Sequence, residues 1–169
     1  MGECILRSVL NVLGVILISL IAALPGAAQT QQEDDKTAIL ASVQVFFDTM
    51  ASRDVAGARG VLMPEGRIFS VREQNGQTVT RASTVEDYLK SLGGGKQANR
   101  ERMWTPEVRV HGPIASVWTP YDFWVDGKFS HCGVDIFDLI KTPDGWKISA
   151  LAYTVERTGC APSPLGPLK

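Results

Sequence analysis

The stretch FSHCGVDIF, residues 129–137, puts His131, Cys132 and Asp135 within five positions of one predicted strand. Those residue types could ligate a metal, supply a thiolate nucleophile or move a proton. Strand geometry separates the options. Successive side chains alternate faces, so His131 and Cys132 point to opposite sides. His131 and Asp135 share a face, but four residues at ~3.4 Å each place them about 13 Å apart. No metal site is therefore expected from this stretch. A catalytic cysteine needs a nearby cation or helix N-terminus to lower its pKa, and mid-strand Cys132 has neither in its sequence neighbourhood. No HExxH, GxSxG, Walker or GxGxxG pattern occurs after the N-terminal segment, and no cofactor is expected. Proton transfer by an aspartate or histidine is the chemistry left.

The elements that must position these groups are legible from periodicity and turns. Ile39, Val43, Phe46, Phe47 and Met50 recur at helical spacing, with Asp35 or Thr37 as the expected cap. A second short helix is predicted from about Val55 to Leu62, opened by Asp54 and closed around Pro64 to Gly66. RIFSVRE and QTVTRA read as strands around an Asn75-Gly76 hairpin. Ser83 and Glu86 fit a capping box that starts a third helix, with Val85, Tyr88, Leu89 and Leu92 on its apolar face and Gly93 to Gly95 ending it. KQANRER, with Lys96, Arg100 and Arg102, reads as a solvated polar loop.

From Trp104 onward the pattern is that of strands. His111 to Pro113, Asp126-Gly127 and Pro143 to Gly145 divide PEVRV, IASVWTPYDFWV, KFSHCGVDIFDLIK and KISALAYTVE into a four-stranded antiparallel meander. With Asp126 and Gly127 as a two-residue loop, Val125 faces Lys128, Asp122 faces His131 and Trp118 faces Asp135. With Pro143 to Gly145 as a three-residue loop, Tyr153 faces Asp135. One face would then carry Asp122 beside His131, with Trp118, Asp135 and Tyr153 in a row. The other would carry Val117, Val134, Ile136, Ile140 and Ile148. A slip of one residue would exchange the faces.

The N-terminus has the form of a secretory signal. Arg7 precedes an apolar run from Ser8 to Leu24, and Gly26 and Ala28 supply small residues for cleavage after Ala28. An uncleaved anchor is the alternative, since the run approaches the ~20 residues that span a bilayer. The expected division is residues 1–28 as signal, 29–157 as one domain and 158–169 as a loose proline-rich tail. About 140 residues after cleavage suit a single core. The formal charge of −1 directs the chain neither to nucleic acid nor to anionic lipid, and no membrane association is expected once the signal is removed. Cleavage would remove Cys4 and leave Cys132 and Cys160 in an oxidising compartment. The register sets Cys132 opposite Glu156, and a turn at Gly159 could bring Cys160 back to within disulfide reach.

VQVFFDTMASRDVAGARGVLMPEG and VWTPYDFWVDGKFSHCGVDIFDLIKTPDGWKISALAYTVE resemble the first two helices and the terminal hairpins of an α+β cone fold. Nuclear transport factor 2, ketosteroid isomerase and the SnoaL-like proteins share that fold. The resemblance spans residues 35 to 157. Within this NTF2-like superfamily the SHCG segment is most similar to the branch labelled "Putative lumazine-binding". The resemblance implies three helices packed on a curved antiparallel sheet. It leaves the activity open, because the scaffold carries isomerases, dehydratases and binding modules.

Three readings follow. A binding domain would hold a small, mainly apolar ligand in the cone, oriented by Trp118, Asp135, Tyr153 and His131. A proton-transfer enzyme of the isomerase or dehydratase kind would use Asp135, or the Asp122 and His131 pair, as acid and base. A structural module would use the polar sheet face as a surface for a homodimer.

Overall fold

The computed structural model describes residues 25–168; the expected signal core and the cysteine at position 4 lie outside them. Helix α1 runs from Pro25 to Ser52 and buries Ile39, Val43, Phe46, Phe47 and Met50, the stripe the periodicity predicts. It does not start at Asp35 or Thr37. Asp35 instead accepts hydrogen bonds from Lys141 Nζ at 2.6 Å and Trp146 Nε1 at 3.3 Å, tying the helix to the last hairpin. Asp54 caps α2 (Val55–Val61) by accepting from the Gly57 amide at 2.9 Å. Chain beyond Leu62 is already extended, so Pro64 to Gly66 lie in strand β1 (Leu62–Gln74) rather than closing the helix.

Strand β2 (Gln77–Thr84) returns through Asn75 and Gly76, both at positive φ (54° and 73°) as a two-residue hairpin loop needs. Helix α3 (Val85–Gly94) has the predicted capping box, displaced by one residue. Thr84 and Asp87 form it, while Ser83 stays in the strand opposite Ile68 and Glu86 pairs with Arg59 at 3.0 Å. Both STVE and TVED satisfy the pattern, and the strand register decides between them.

The polar loop expected after α3 is a strand. Residues Asn99–Met103 form β3 and pair antiparallel with β5 (Ile114–Val125). Strand β4 (Glu107–His111) pairs with the other end of β5, followed by β6 (Lys128–Thr142) and β7 (Gly145–Thr154). Sheet order is β2-β1-β7-β6-β5-β3, antiparallel except where β1 runs parallel to β7. The sheet folds around α1: Phe46 and Phe47 meet Phe137 edge-on, with ring centroids 6.0 and 5.8 Å apart.

Two bulges set the faces. Asp126 and Gly127 form the predicted loop and Val125 pairs with Lys128, but Ser130 is an extra residue on β6, so Phe123 pairs with His131 and Asp122 with Cys132. Trp118 consequently faces Ile136 rather than Asp135. At the other hairpin Thr142 pairs with Gly145, one residue tighter than a three-residue loop, and Ser149 is an extra residue on β7. The two departures cancel, and Asp135 faces Tyr153 as expected. The inward face carries Val117, Tyr121, His131, Asp135, Phe137 and Tyr153. Trp118, Asp122, Cys132, Ile136 and Ile140 are on the outward face.

The C-terminal tail is held against the outward face. Cys132 and Cys160 form a disulfide with Cα atoms 5.9 Å apart, and the Gly166 carbonyl accepts from Arg102 Nη2 at 2.7 Å. It is therefore not the loose segment that its proline content suggests.

Candidate functional site

Between α1, α3 and the inward face lies a cavity of about 150 Å³. Phe46 and Met50 of α1, Ile68 of β1 and Leu151 of β7 give it apolar walls. Tyr88 of α3, Tyr121 and Phe123 of β5 and Tyr153 of β7 add aromatic ones. Three ionisable groups join them: Glu101 from β3, and His131 and Asp135 from β6. A larger groove of about 680 Å³ runs along the ends of β1 and β7, but Arg72, Glu73, Glu156 and Arg157, which line it, are exposed. The cavity is where buried polar chemistry converges.

Asp135 is 1% exposed, opposite Tyr153 on one side and Thr119 on the other. Its Oδ2 receives no amide or hydroxyl donor. The Glu101 carboxyl bonds to the Asp135 side chain, so the two acids share a proton while Oδ2 itself stays without a partner. Burial drives both carboxyls upward, Asp135 to about 8 and Glu101 well above the carboxylate range, where the neighbouring Asp135 charge adds to the effect. At neutral pH the pair therefore retains at least one proton.

The tyrosines differ in what they have free. Tyr121 Oη donates to the Thr154 carbonyl at 2.6 Å, and Tyr153 bonds to Ser70. Tyr88 Oη is buried with no partner. Gly133 makes the Tyr121 geometry possible, since a Cβ there would collide with the Thr154 carbonyl and come within 2.8 Å of the Tyr121 ring. His131 stacks on Phe123 with centroids 4.8 Å apart, and its Nδ1 lies 3.0 Å from Ser130 Oγ. Burial, aided by Arg157, pushes its pKa below the ordinary value, so it is neutral at pH 7.

The structure thus brings His131, Asp135 and Tyr153 to one cavity and leaves out two residues grouped with them from sequence. Trp118 is 50% exposed on the outward face. Asp122 is on that face too, buried under the tail, where Arg102 grips it at 2.9 Å (Nε) and 2.5 Å (Nη2). The Asp122 and His131 pair does not form, because the Ser130 bulge shifts the register by one. Glu101 was not anticipated. Its signal was the alternation of Asn99, Glu101 and Met103 against Arg100 and Arg102, which reads as solvation until β5 supplies a partner strand. Among the described residues no group of three or more His, Cys, Asp or Glu side chains is arranged to hold a metal.

A helix-filled cone with a polar cluster in an apolar interior defines an NTF2-like domain, and solved structures agree. An NTF2-like protein with a cystatin-like fold from Novosphingobium aromaticivorans superposes with a TM-score of 0.63 at 15% identity, covering 80% of this chain and 90% of that one. A protein of unknown function from Mycobacterium tuberculosis gives 0.60 at 17% identity, covering 78% and 82%. A nuclear transport factor 2 superfamily protein from Salmonella enterica gives 0.56 at 13%, covering 80% and 96%. At such identities the likeness concerns the fold alone. No curated protein matches the sequence. The profile of the family described as "Putative lumazine-binding" matches residues 34–154, and the chain belongs to that family.

Proposed function

We propose that this protein is a small-molecule-binding domain that takes a small, mainly apolar ligand into the cone cavity, oriented by Asp135, Tyr153 and His131 together with Glu101 and Tyr88. The observation that carries the reading is the convergence of two buried, unsatisfied polar atoms, Tyr88 Oη and Asp135 Oδ2, on an apolar cavity. Unsatisfied buried polar atoms are uncommon unless something completes them. Family membership supports a small ligand. The volume suits one below drug size, since such ligands occupy roughly 300 to 1,000 Å³. The test is a thermal-shift screen followed by mass analysis of any co-purified compound; a screen hit whose stabilisation survives filling the cavity by Leu151→Trp would locate binding elsewhere.

The Glu101 and Asp135 pair favours a second reading, proton transfer of the isomerase or dehydratase kind. A carboxyl whose pKa lies near the working pH is suited to give and take a proton. Asp135→Asn should then fold and lose turnover of the ligand found by the screen by 10²-fold or more, whereas His131→Ala should retain most of it. Equal turnover in Asp135→Asn and wild type would discard the enzymatic reading.

Export and self-association complete the proposal. The disulfide suits an oxidising compartment, and no helix among the described residues is long and apolar enough to cross a membrane. The exported protein should have an intact mass corresponding to a start near Gln29; a cytoplasmic protein retaining Met1 would contradict this. On the outward face Ile114, Trp118, Ile136 and Ile140 are 55%, 50%, 37% and 37% exposed. Glu107 lies opposite Trp118 and Arg109 follows on the same strand, opposite charges that a two-fold-related copy could pair. Sedimentation should show a homodimer that Trp118→Asp converts to monomer. A monomeric wild type at about 100 μM, far above the Kd of a stable interface, would remove the dimer.

A further inference from the structure

The small-molecule reading leaves the ligand's polar end undefined, and the charge balance of the cavity bears on it. Two carboxyls, Glu101 and Asp135, open onto the cavity, and no lysine or arginine lines it. The cation nearest in sequence, Arg102, points to the outward face and is engaged by Asp122. His131 is neutral, and Arg157 acts on it from the exposed segment after β7. Tyr121 and Tyr153 already have partners, and Tyr88 faces the pair from α3. The surfaces contributed by α1 and β1, Phe46, Met50 and Ile68, carry no charge. Asp135 Oδ2, in a residue 99% buried by area, has no donor of the ordinary kind.

Two buried acids without a countercharge, walled by aromatic rings, form the arrangement that a cation can ionise and occupy. Ring faces attract a cation lying within about 6 Å, more strongly when water is excluded. A carboxylate accepts N⁺–H donors in short, charge-assisted bonds. We propose that the cavity takes a small organic ammonium ion, a single positive charge on an apolar body, with its N–H donors on Glu101 and Asp135 and its body against Phe46, Tyr88, Phe123 and Tyr153. Such a ligand supplies the charge that the protein withholds. On binding, it displaces the proton that the two acids share, and that proton leaves to solvent. A neutral carbonyl ligand would behave oppositely, because it needs the carboxyl proton as a donor.

The sign of the pH dependence therefore separates the two. Cyclohexylammonium, cyclohexanone and cyclohexanol share a ring and differ in one polar group, and the amine, like lysine, stays protonated near neutrality. Titration calorimetry from about pH 6.5 to 8, in two buffers of different ionisation enthalpy, should show cyclohexylammonium affinity rising, at most ~10-fold per pH unit, with protons released. It should be the tightest of the three at pH 8. In Glu101→Gln/Asp135→Asn, cyclohexylammonium binding should fall at least tenfold while cyclohexanol binding persists. If cyclohexanone or cyclohexanol binds more tightly than the amine at pH 8, the cavity reading stands and the ammonium class is overturned. Amine binding that is unchanged in the double variant, or independent of pH, also overturns it. If none of the three binds, the ammonium proposal and the small-ligand reading fall together.

Discussion

Between about pH 6.5 and 8 the protein should lose stability as pH rises, and Glu101→Gln/Asp135→Asn should abolish most of that loss. Unfolded, the two acids ionise near their ordinary values of 4.5 and 3.8; folded, both hold protons to much higher pH, Asp135 to about 8. Over the interval between those limits the native state binds more protons than the unfolded one, so the slope of unfolding free energy with pH is negative. Stability from this source is fully present below about pH 4 and declines up to the folded-state values. The gradient is about 1.4 kcal/mol per pH unit for each excess proton. His131 works in the opposite sense, because its lowered pKa makes stability rise with pH, but only up to its ordinary value of 6.5. The three cavity tyrosines are all raised from 10.0 and do not ionise in this range. The window therefore isolates the acid pair. Chemical denaturation across it should show the double variant more stable than wild type at pH 8 by about 1 to 3 kcal/mol, and less advantaged at pH 5. A wild-type profile flat from 6.5 to 8 would mean that the acids do not share a buried proton.

Reduction of the Cys132–Cys160 bond is the other large effect expected. The bridge closes a loop with a sequence separation of 28. A loop of that size limits the unfolded chain by roughly 3 to 4 kcal/mol on the chain-entropy account. Cys160→Ser should lower the unfolding free energy by about that amount, and the reduced wild type should match it. Its structural reach is wider than the two sulfurs. The bridge fixes the tail whose Gly166 carbonyl completes the Arg102 and Asp122 cluster, so the variant should also expose that ion pair. Alkylation of Cys132 and Cys160 in the denatured, unreduced protein, read by peptide mass, provides the independent check. Two reactive thiols would show that the bond is absent.

Turn chemistry was the most readable part of the sequence. Asn75-Gly76 and Asp126-Gly127 are local signals, and both hairpins form where they indicate. The helical stripe of α1 was equally plain, because burial on one face imposes a period. Bulges leave no such mark. Ser130 and Ser149 carry neither glycine nor proline, yet the first exchanges the faces of Trp118 and Asp122, and the second restores the opposition of Asp135 and Tyr153 after the tighter turn. Glu101 shows another limit. Between Arg100 and Arg102 it has the composition of a solvated loop, and only a non-local partner, Phe123 on β5, turns it inward. Sequence neighbours identify which residues could do chemistry; strand partners decide which of them meet.

Strand β7 follows all the other strands of this sheet in the sequence, yet it does not lie at an edge but between β1 and β6, with Ile68 paired to Leu151. A chain emerging in order thus builds the β1–β2 hairpin and holds it without its second neighbour until β3 to β6 and then β7 have followed. Pairings so distant along the chain form slowly, since a long loop must close before any contact compensates. Until then β1 presents an open edge and Ile68 lacks its neighbour Leu151, the condition in which nascent chains depend on chaperones. Late closure is thus built into the order of the strands: the cone cannot lock until β7 is available to join β1 to β6.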